Sequence, residues 1–188
     1  MALSAFIFAA PMATPVAAQR TAPQAAQPTA QRSANPVSAA LKSQMQTAQR
    51  NLVAAAEAMP ADKYGFKPTA AQMSFGQLVL HVAGSNVFMC STIAGTKPPQ
   101  LAKLDTTATK DAILARVKES FAYCTTTLAA VDDSKLGDMV PFFGGRTISR
   151  AGAMMDLAGD WADHYGASAI YLRLNGVLPP TAKARQGK

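Results

Sequence analysis

The sequence has only two histidines, two cysteines and one tryptophan in 188 residues, and it lacks most motifs that identify a reaction. It contains no glycine-rich phosphate-binding loop, no GxSxG nucleophile elbow, no CxxC pair and no HExxH zinc motif. Serine and threonine are common, but none has a histidine at a spacing typical of an activated nucleophile. Nucleotide-dependent enzymes and serine hydrolases are therefore disfavoured.

Acidic residues are also few, 11 against 18 basic ones, so the formal net charge is +7. Residues 19–35 contribute two of these positive charges and residues 181–188 contribute three, which leaves +2 for the chain between them. Charges in flexible ends attract anions weakly and read no base sequence. Because no nucleic-acid-reading motif occurs, the sequence predicts no specific nucleic-acid partner.

Long apolar runs are missing. No stretch of about 20 uninterrupted apolar residues occurs, so the sequence predicts no transmembrane segment in the mature chain. The first 18 residues are nevertheless apolar, and Val16-Ala17-Ala18 fits a small-x-small cleavage site. Residues 1–18 are predicted to be a signal peptide that directs export to the periplasm. They lack a positively charged start and contain Pro11, so a disordered tail on a cytoplasmic protein is the alternative.

Composition also distinguishes the regions that follow residue 18. Residues 19–35 are rich in Ala, Gln, Pro and Thr, which predicts a disordered linker, and residues 181–188 are predicted to be a basic disordered tail. A hydrophobic content of 49% is enough for one sizeable core. Residues 36–180 are therefore predicted to form one domain.

Helical periodicity dominates that domain. It predicts helices over about 36–60, 74–94, 110–131 and 149–175, with Asn35 as the first N-cap, and no segment has the two-residue period of a strand. The class is therefore all-α. Each connection of about 14 residues reaches about 46 Å, whereas a 21-residue helix is about 32 Å long. Crossover topologies are therefore open as well as simple up-and-down order.

The fourth predicted helix carries polar groups on the stripe that faces the core. Asp160 and His164 are one turn apart on this stripe, the spacing at which a helix presents two ligands to one ion. The other histidine, His81, lies on an apolar face of the second helix, and a facing pair of these helices would bring all three together. The alternatives are a hydrogen-bonded core histidine at 81 and an Asp160 that pairs with His164 without binding metal.

The two cysteines lie on the second and third predicted helices. In an oxidising compartment an isolated pair favours a disulfide between Cys90 and Cys124. Two buried free thiols are the alternative if the chain is not exported. Cys90 lies nine residues after His81, on the opposite side of the helix, so it is a poor ligand for the same ion.

Two segments carry a family resemblance: SFGQLVLHVAGSNVFMCSTIAGTKPP in the second helix and DHYGASAIYLRLNGVLPP in the fourth. Together they resemble the DinB family of DinB/YfiT-like proteins across residues 36–180. The resemblance implies a four-helix bundle with a long crossover connection between helices 2 and 3. It also implies a divalent metal ion held by one histidine of the second helix and an HxxxH pair of the fourth. His81 and His164 match, but Asp160 stands at the first position of the pair, which predicts a His-Asp-His site.

The function implied by the resemblance is metal-dependent. An ion such as Zn, Ni, Fe or Mn would polarise a bound water or thiol, so a thiol transferase or hydrolase acting on a small molecule is expected. Ser85, Trp161 and Tyr171 are the candidate pocket residues. The alternative function is a non-catalytic stress-response or binding bundle with a degenerate metal site. A homodimer is compatible with either function.

If residues 1–18 are a signal peptide, cleavage after Ala18 should leave Gln19 or a close neighbour as the N-terminus. Mass spectrometry of the protein from a native envelope fraction measures this directly. An intact Met1 on protein from the cytosolic fraction would contradict the prediction.

Overall fold

The structure is a computed structural model that describes residues 34–105 and 107–186. The predicted signal peptide and residues 19–33 of the predicted linker lie outside this part of the chain. The four long helices are α1 (Pro36–Ala58), α2 (Phe75–Ala94), α3 (Lys110–Leu128) and α4 (Arg150–Leu174), and a short α5 (Pro180–Gln186) follows. Their ends lie within three residues of the predicted ones, and the all-α class is confirmed.

Helices α2 and α3 run parallel. The residue numbers of their contacts increase together along both helices: Asn86 donates to Ser120, and Cys90 is bonded to Cys124. Two parallel helices that follow each other in the chain need a connection that returns along the whole helix length. Residues 96–109 form that connection, and the predicted crossover between the second and third helices is therefore present.

Helix α1 runs antiparallel to α3, and α4 runs antiparallel to α2, so the neighbours α1 and α4 are parallel to each other. The Lys118 ammonium on α3 lies 2.7 Å from the Glu57 carboxylate near the end of α1, whereas Lys42 near the start of α1 donates to the Val131 carbonyl beyond α3. Both α1 and α2 pack on α3 and on α4, so the helices form a ring in the order α1, α3, α2, α4. Their inner faces enclose a common core whose fully buried members include Phe75, Val82, Val117, Phe121, Leu157 and Leu172.

Helix α2 is the most apolar of the four. Among the described residues it is the one helix that is long and apolar enough to span a membrane, but 61% of its most apolar window is buried inside the bundle. Its N-terminus has the capping box that the sequence allows: Ser74 accepts from the Gln77 amide, and the Gln77 side chain accepts from the Ser74 amide. This burial and capping are those of a core helix.

Asn35 is the N-cap residue of α1 and Pro36 is its first helical residue, as the sequence predicts, but the side-chain cap comes from elsewhere. The Asn35 side chain makes no capping hydrogen bond to its own helix. Instead the Asp133 carboxylate, from the connection between α3 and α4, accepts from the amides of Val37 and Ser38 at 2.9 and 2.8 Å. A carboxylate at this position satisfies two free amides and also interacts favourably with the positive end of the helix dipole.

The sequence predicted no strands, and the structure corrects this expectation. Strand β1 (Met139–Pro141) pairs antiparallel with β2 (Thr147–Ser149) in the connection before α4, with Val140 opposite Ile148. Gly144 and Gly145 make the turn at φ values of 67° and 72°, which only glycine adopts readily. Strands of three residues are too short to produce a periodic pattern, so the sequence did not indicate them.

The predicted disordered tail is also corrected, because residues 181–186 belong to α5. The Tyr165 hydroxyl on α4 donates to the Thr181 hydroxyl at 2.9 Å and accepts from the Thr181 amide at 3.1 Å. These two bonds hold the start of α5 against the bundle. The prediction considered only the basic composition, which carries no information about a long-range anchor of this kind.

A polar network crosses the centre of the core. The fully buried Asn86 amide donates to the Ser120 hydroxyl at 3.0 Å and accepts from the Trp161 indole at 2.7 Å. The Ser120 hydroxyl in turn donates to the Val117 carbonyl. Asn86 thus joins α2 to α3 and to α4. One turn further along, the disulfide between Cys90 and Cys124 is also fully buried and closes a chain separation of 34 residues.

Removal of this disulfide should destabilise the fold. Replacing both cysteines by alanine is expected to lower the free energy of unfolding by about 3 to 4 kcal/mol, because a closed loop of this length restricts the unfolded chain. Urea unfolding measures the difference. Reductant should lower the stability of the parent chain and leave that of the double variant unchanged, and two titratable thiols in unreduced, denatured parent protein would contradict the prediction.

Asn86→Ala should lower the free energy of unfolding by about 2 to 4 kcal/mol. It leaves the buried Trp161 indole without a hydrogen-bond partner and removes one of the two partners of the Ser120 hydroxyl. Trp161→Phe removes the indole donor, so Asn86→Ala should cost less in that background, with a coupling of about 1 kcal/mol. Urea unfolding of the four proteins of this double-mutant cycle gives the coupling. Strictly additive costs would show that the hydrogen bond contributes nothing to stability.

Candidate metal centre

The structure brings the two histidines together. His81 lies on α2 and His164 lies on α4, and their antiparallel packing places the ring centroids 4.8 Å apart with 32° between the ring planes. The register that produces this contact continues along both helices. The Trp161 indole reaches Asn86 on one side of the pair, and the Tyr171 hydroxyl reaches the Met73 carbonyl on the other.

Asp160 lies one turn before His164 on the same face of α4. The backbone carbonyl of Asp160 is 2.7 Å from His164 Nδ1, and its carboxylate Oδ1 is 3.5 Å from the same nitrogen. The shorter contact assigns the proton to Nδ1, which donates to the carbonyl. His164 Nε2 then carries the free lone pair, so the backbone of α4 orients this imidazole as a ligand.

The Asp160 carboxylate is poorly compensated by the protein alone. Its side chain is 20% exposed, and Oδ2 is buried without a hydrogen-bond partner among the described residues. Burial raises the pKa of Asp160 despite the opposing attraction of His164 and His81. A buried acceptor without a partner is costly, and a cation beside Oδ2 would remove that cost. The carboxylate therefore fits a bound metal ion.

One donor atom each from His81, Asp160 and His164 can be chosen so that all three lie within 4.8 Å of one another. Metal bonds of about 2.0 to 2.2 Å in tetrahedral geometry place two donors about 3.3 to 3.6 Å apart, so the widest pair would need to approach by about 1.2 to 1.5 Å, which side-chain rotation can supply. His81 is exposed, whereas His164 and Asp160 are mostly covered. Solvent or a substrate can therefore reach this group from the His81 side.

Two of the three predicted pocket residues lie beside the candidate metal ligands. Ser85 is buried one turn after His81, and Trp161 is buried three residues before His164, so both lie next to the candidate metal ligands. The Trp161 indole is occupied by Asn86, and the Tyr171 hydroxyl donates to the Met73 carbonyl at 2.8 Å. Trp161 and Tyr171 therefore brace the two helices.

An open depression of about 510 Å³ adjoins His81, and the sequence did not predict it. The apolar part of its lining comes from Met73, Leu80 and Leu104, and the polar part from Gln77, His81, Lys103 and Asp105. A few polar groups within an apolar lining are typical of small-molecule sites. Residues 103–105 belong to the long connection between α2 and α3, and the length of that connection was the only signal in the sequence.

Comparison with known proteins agrees with this architecture. Residues 44–166 match the DinB superfamily. A DinB-like protein from Bacillus subtilis superposes with a TM-score of 0.61 at 20% identity, covering 73% of this chain and 92% of that one. A DinB-like protein from Bacillus cereus gives a TM-score of 0.58 at 15% identity, covering 77% and 93%.

A mycothiol-dependent maleylpyruvate isomerase is also similar in fold, with a TM-score of 0.55 at 13% identity. The match covers 68% of this chain and 59% of the isomerase, and at this identity it concerns the fold alone. No curated protein matches the chain. The family match covers well over half of the sequence, so the chain belongs to the DinB superfamily.

Proposed function

We propose that His81, Asp160 and His164 bind one divalent metal ion and that the protein uses it to act on a small molecule. The observation that supports this most directly is the buried Asp160 Oδ2, which has no partner among the described residues and belongs to a group of three donors within 4.8 Å. Two imidazoles and one carboxylate suit Zn, Ni, Fe or Mn. Three protein ligands leave coordination positions for water or substrate.

The ion would supply Lewis acidity that lowers the pKa of a bound water or thiol. The protein's own contribution is orientation and partial exclusion of water. The Asp160 carbonyl holds the His164 ring through Nδ1, and the apolar side chains of Leu80 and Leu104 line the depression through which a substrate approaches His81.

We propose thiol transfer or hydrolysis as the reaction class. The support is the likeness in fold to the mycothiol-dependent isomerase, which by its name acts with a thiol. The size of the depression fits a small substrate. The buried disulfide also supports the proposed export, because such bonds persist mainly in oxidising compartments such as the periplasm.

The metal proposal predicts a specific order among ligand variants. His81→Ala and His164→Ala should abolish binding, because two remaining ligands are too few for a stable site. Asp160→Ala should weaken binding by about 100-fold or more, and Asp160→His should keep or strengthen it, because imidazole suits these metals at least as well as carboxylate. Asp156→Ala is the matched control, since this exposed carboxylate lies one turn earlier on α4.

The measurement is metal content by elemental analysis of the full chain, purified without a histidine tag and dialysed against trace Zn²⁺, Ni²⁺ or Mn²⁺. The melting temperature with and without chelator gives a second readout, because an ion at 100 times its dissociation constant adds about 2.7 kcal/mol of stability. Metal content far below one ion per chain in the parent, with an unchanged melting temperature, would refute the metal site. That result would favour the alternative function, a non-catalytic stress-response or binding bundle.

A further inference from the structure

A second cavity, of about 350 Å³, lies where α2 and α3 end and α4 begins. Its lining mixes small apolar side chains with charged ones, among them Ala94, Ala130, Val131, Asp132, Lys135 and Arg150. From Arg150 to His164 helix α4 rises by about 21 Å, so the cavity is distinct from the candidate metal centre.

The side chain of Arg150 lines this cavity and is only 12% exposed. Its Nη1 donates to the Ile93 carbonyl in the last turn of α2. Nε is buried without a hydrogen-bond partner among the described residues, and Nη2 lies 3.8 Å from Asp138 Oδ2, too far for a hydrogen bond. The edge of the guanidinium that Nε and Nη2 form is therefore unused by the described part of the chain.

This edge of Arg150 suits a carboxylate. Nε and Nη2 are neighbouring donors, and a carboxylate accepts from both at once in the bidentate pairing that arginine favours. A buried donor without a partner is costly, and a bound carboxylate would remove that cost. The backbone of Asp138 is held by two hydrogen bonds, to the Lys135 carbonyl and from the Arg150 amide, and its own carboxylate stops short of the edge.

The charges around the cavity favour a singly charged anion. Lys135 is exposed, and its ammonium makes no hydrogen bond or ion pair within the part of the chain that the structure describes. Asp132 lines the same cavity, and Asp138 lies beside Arg150. Two positive charges thus face two negative ones. A carboxylate adds one negative charge, whereas a phosphate ester adds nearly two and is repelled more strongly by the two aspartates.

We infer that this cavity binds a small aliphatic carboxylate. The carboxylate accepts from Nε and Nη2 of Arg150, and Lys135 adds a second positive charge beside it. The alkyl chain packs on Ala94, Ala130 and Val131. A cavity of this volume is at the small end of ligand sites, which suits a chain of a few carbons. Binding here requires no metal ion, because the candidate metal ligands lie elsewhere on the bundle.

Butyrate is the probe, titrated into the metal-free full chain and followed by NMR. We expect a dissociation constant of about 1 mM, a reasonable affinity for a ligand of so few atoms. Butyramide has the same shape without the charge, and propyl phosphate has the same chain with a doubly charged head. Each should bind at least about tenfold more weakly than butyrate. Equal affinity for either compound would overturn the inference.

Variants of the cavity test the location. Ala130→Leu fills the cavity and should weaken butyrate binding by about tenfold or more. Ala129→Leu is the matched control, because Ala129 is the exposed neighbour outside the lining. Lys135→Gln should weaken binding by about threefold or more, whereas Lys103→Gln makes the same charge change beside His81 and should have no effect.

The sign of one further variant separates ligand binding from a purely structural role of Arg150. Asp138→Asn removes a negative charge beside the guanidinium, so it should strengthen butyrate binding by about threefold. Arg150→Gln should abolish binding. If Arg150→Gln fails to fold, by circular dichroism and melting temperature, Ala130→Leu, Lys135→Gln and Asp138→Asn still decide the question.

Failure of the folded parent chain to bind butyrate at ten times the expected dissociation constant would overturn the inference. Unchanged affinity in Ala130→Leu, or no gain in Asp138→Asn, would do the same. His81→Ala should bind butyrate as the parent does. Loss of binding in His81→Ala or Lys103→Gln would place the ligand in the depression beside His81 and overturn this assignment, whatever the metal content of the chain.

Discussion

The hydrogen bond from the Trp161 indole to the Asn86 amide sets the position of α4 along α2, and the candidate site depends on that position. It joins residues 75 apart in the chain at 2.7 Å, inside a core that offers the indole no other polar group among the described contacts. A shift by one turn would break this bond and bury both groups unpaired. It would also move His164 by about 5.4 Å along α2 and away from His81.

The parallel pairing of α2 and α3 is the second constraint. It is held by the buried disulfide and by the hydrogen bond from Asn86 to Ser120, and it requires the chain to return along the bundle before α3 begins. The returning segment supplies Lys103, Leu104 and Asp105 to the depression beside His81. The connection demanded by the topology thus forms one wall of the proposed substrate site.

Helix α4 has large apolar side chains on its outer side as well as on the side that faces the core. Its inner side carries Asp160 and His164, and its outer side carries Met155, Ile170 and Leu174. This explains why its apolar residues are spread around the whole helix, in contrast to the single stripe of a helix with one buried face. The hydrogen bond that His164 Nδ1 donates to the Asp160 carbonyl is local to α4, so the orientation of the His164 ring needs only an intact helix.

The sequence by itself determined the four long helices, their class and the three candidate ligands. Helical periodicity, the Ser74 cap and the four-residue spacing of Asp160 and His164 are local properties of the chain. The facing of His81 and His164 followed from the family resemblance and from polar groups on apolar stripes. Tertiary structure alone decided the cap that Asp133 provides to α1, the short hairpin, the anchoring of α5 by Tyr165 and the partners of Asn86. Each of these joins residues distant in sequence or involves too few residues to make a pattern, so no local property of the chain specifies them.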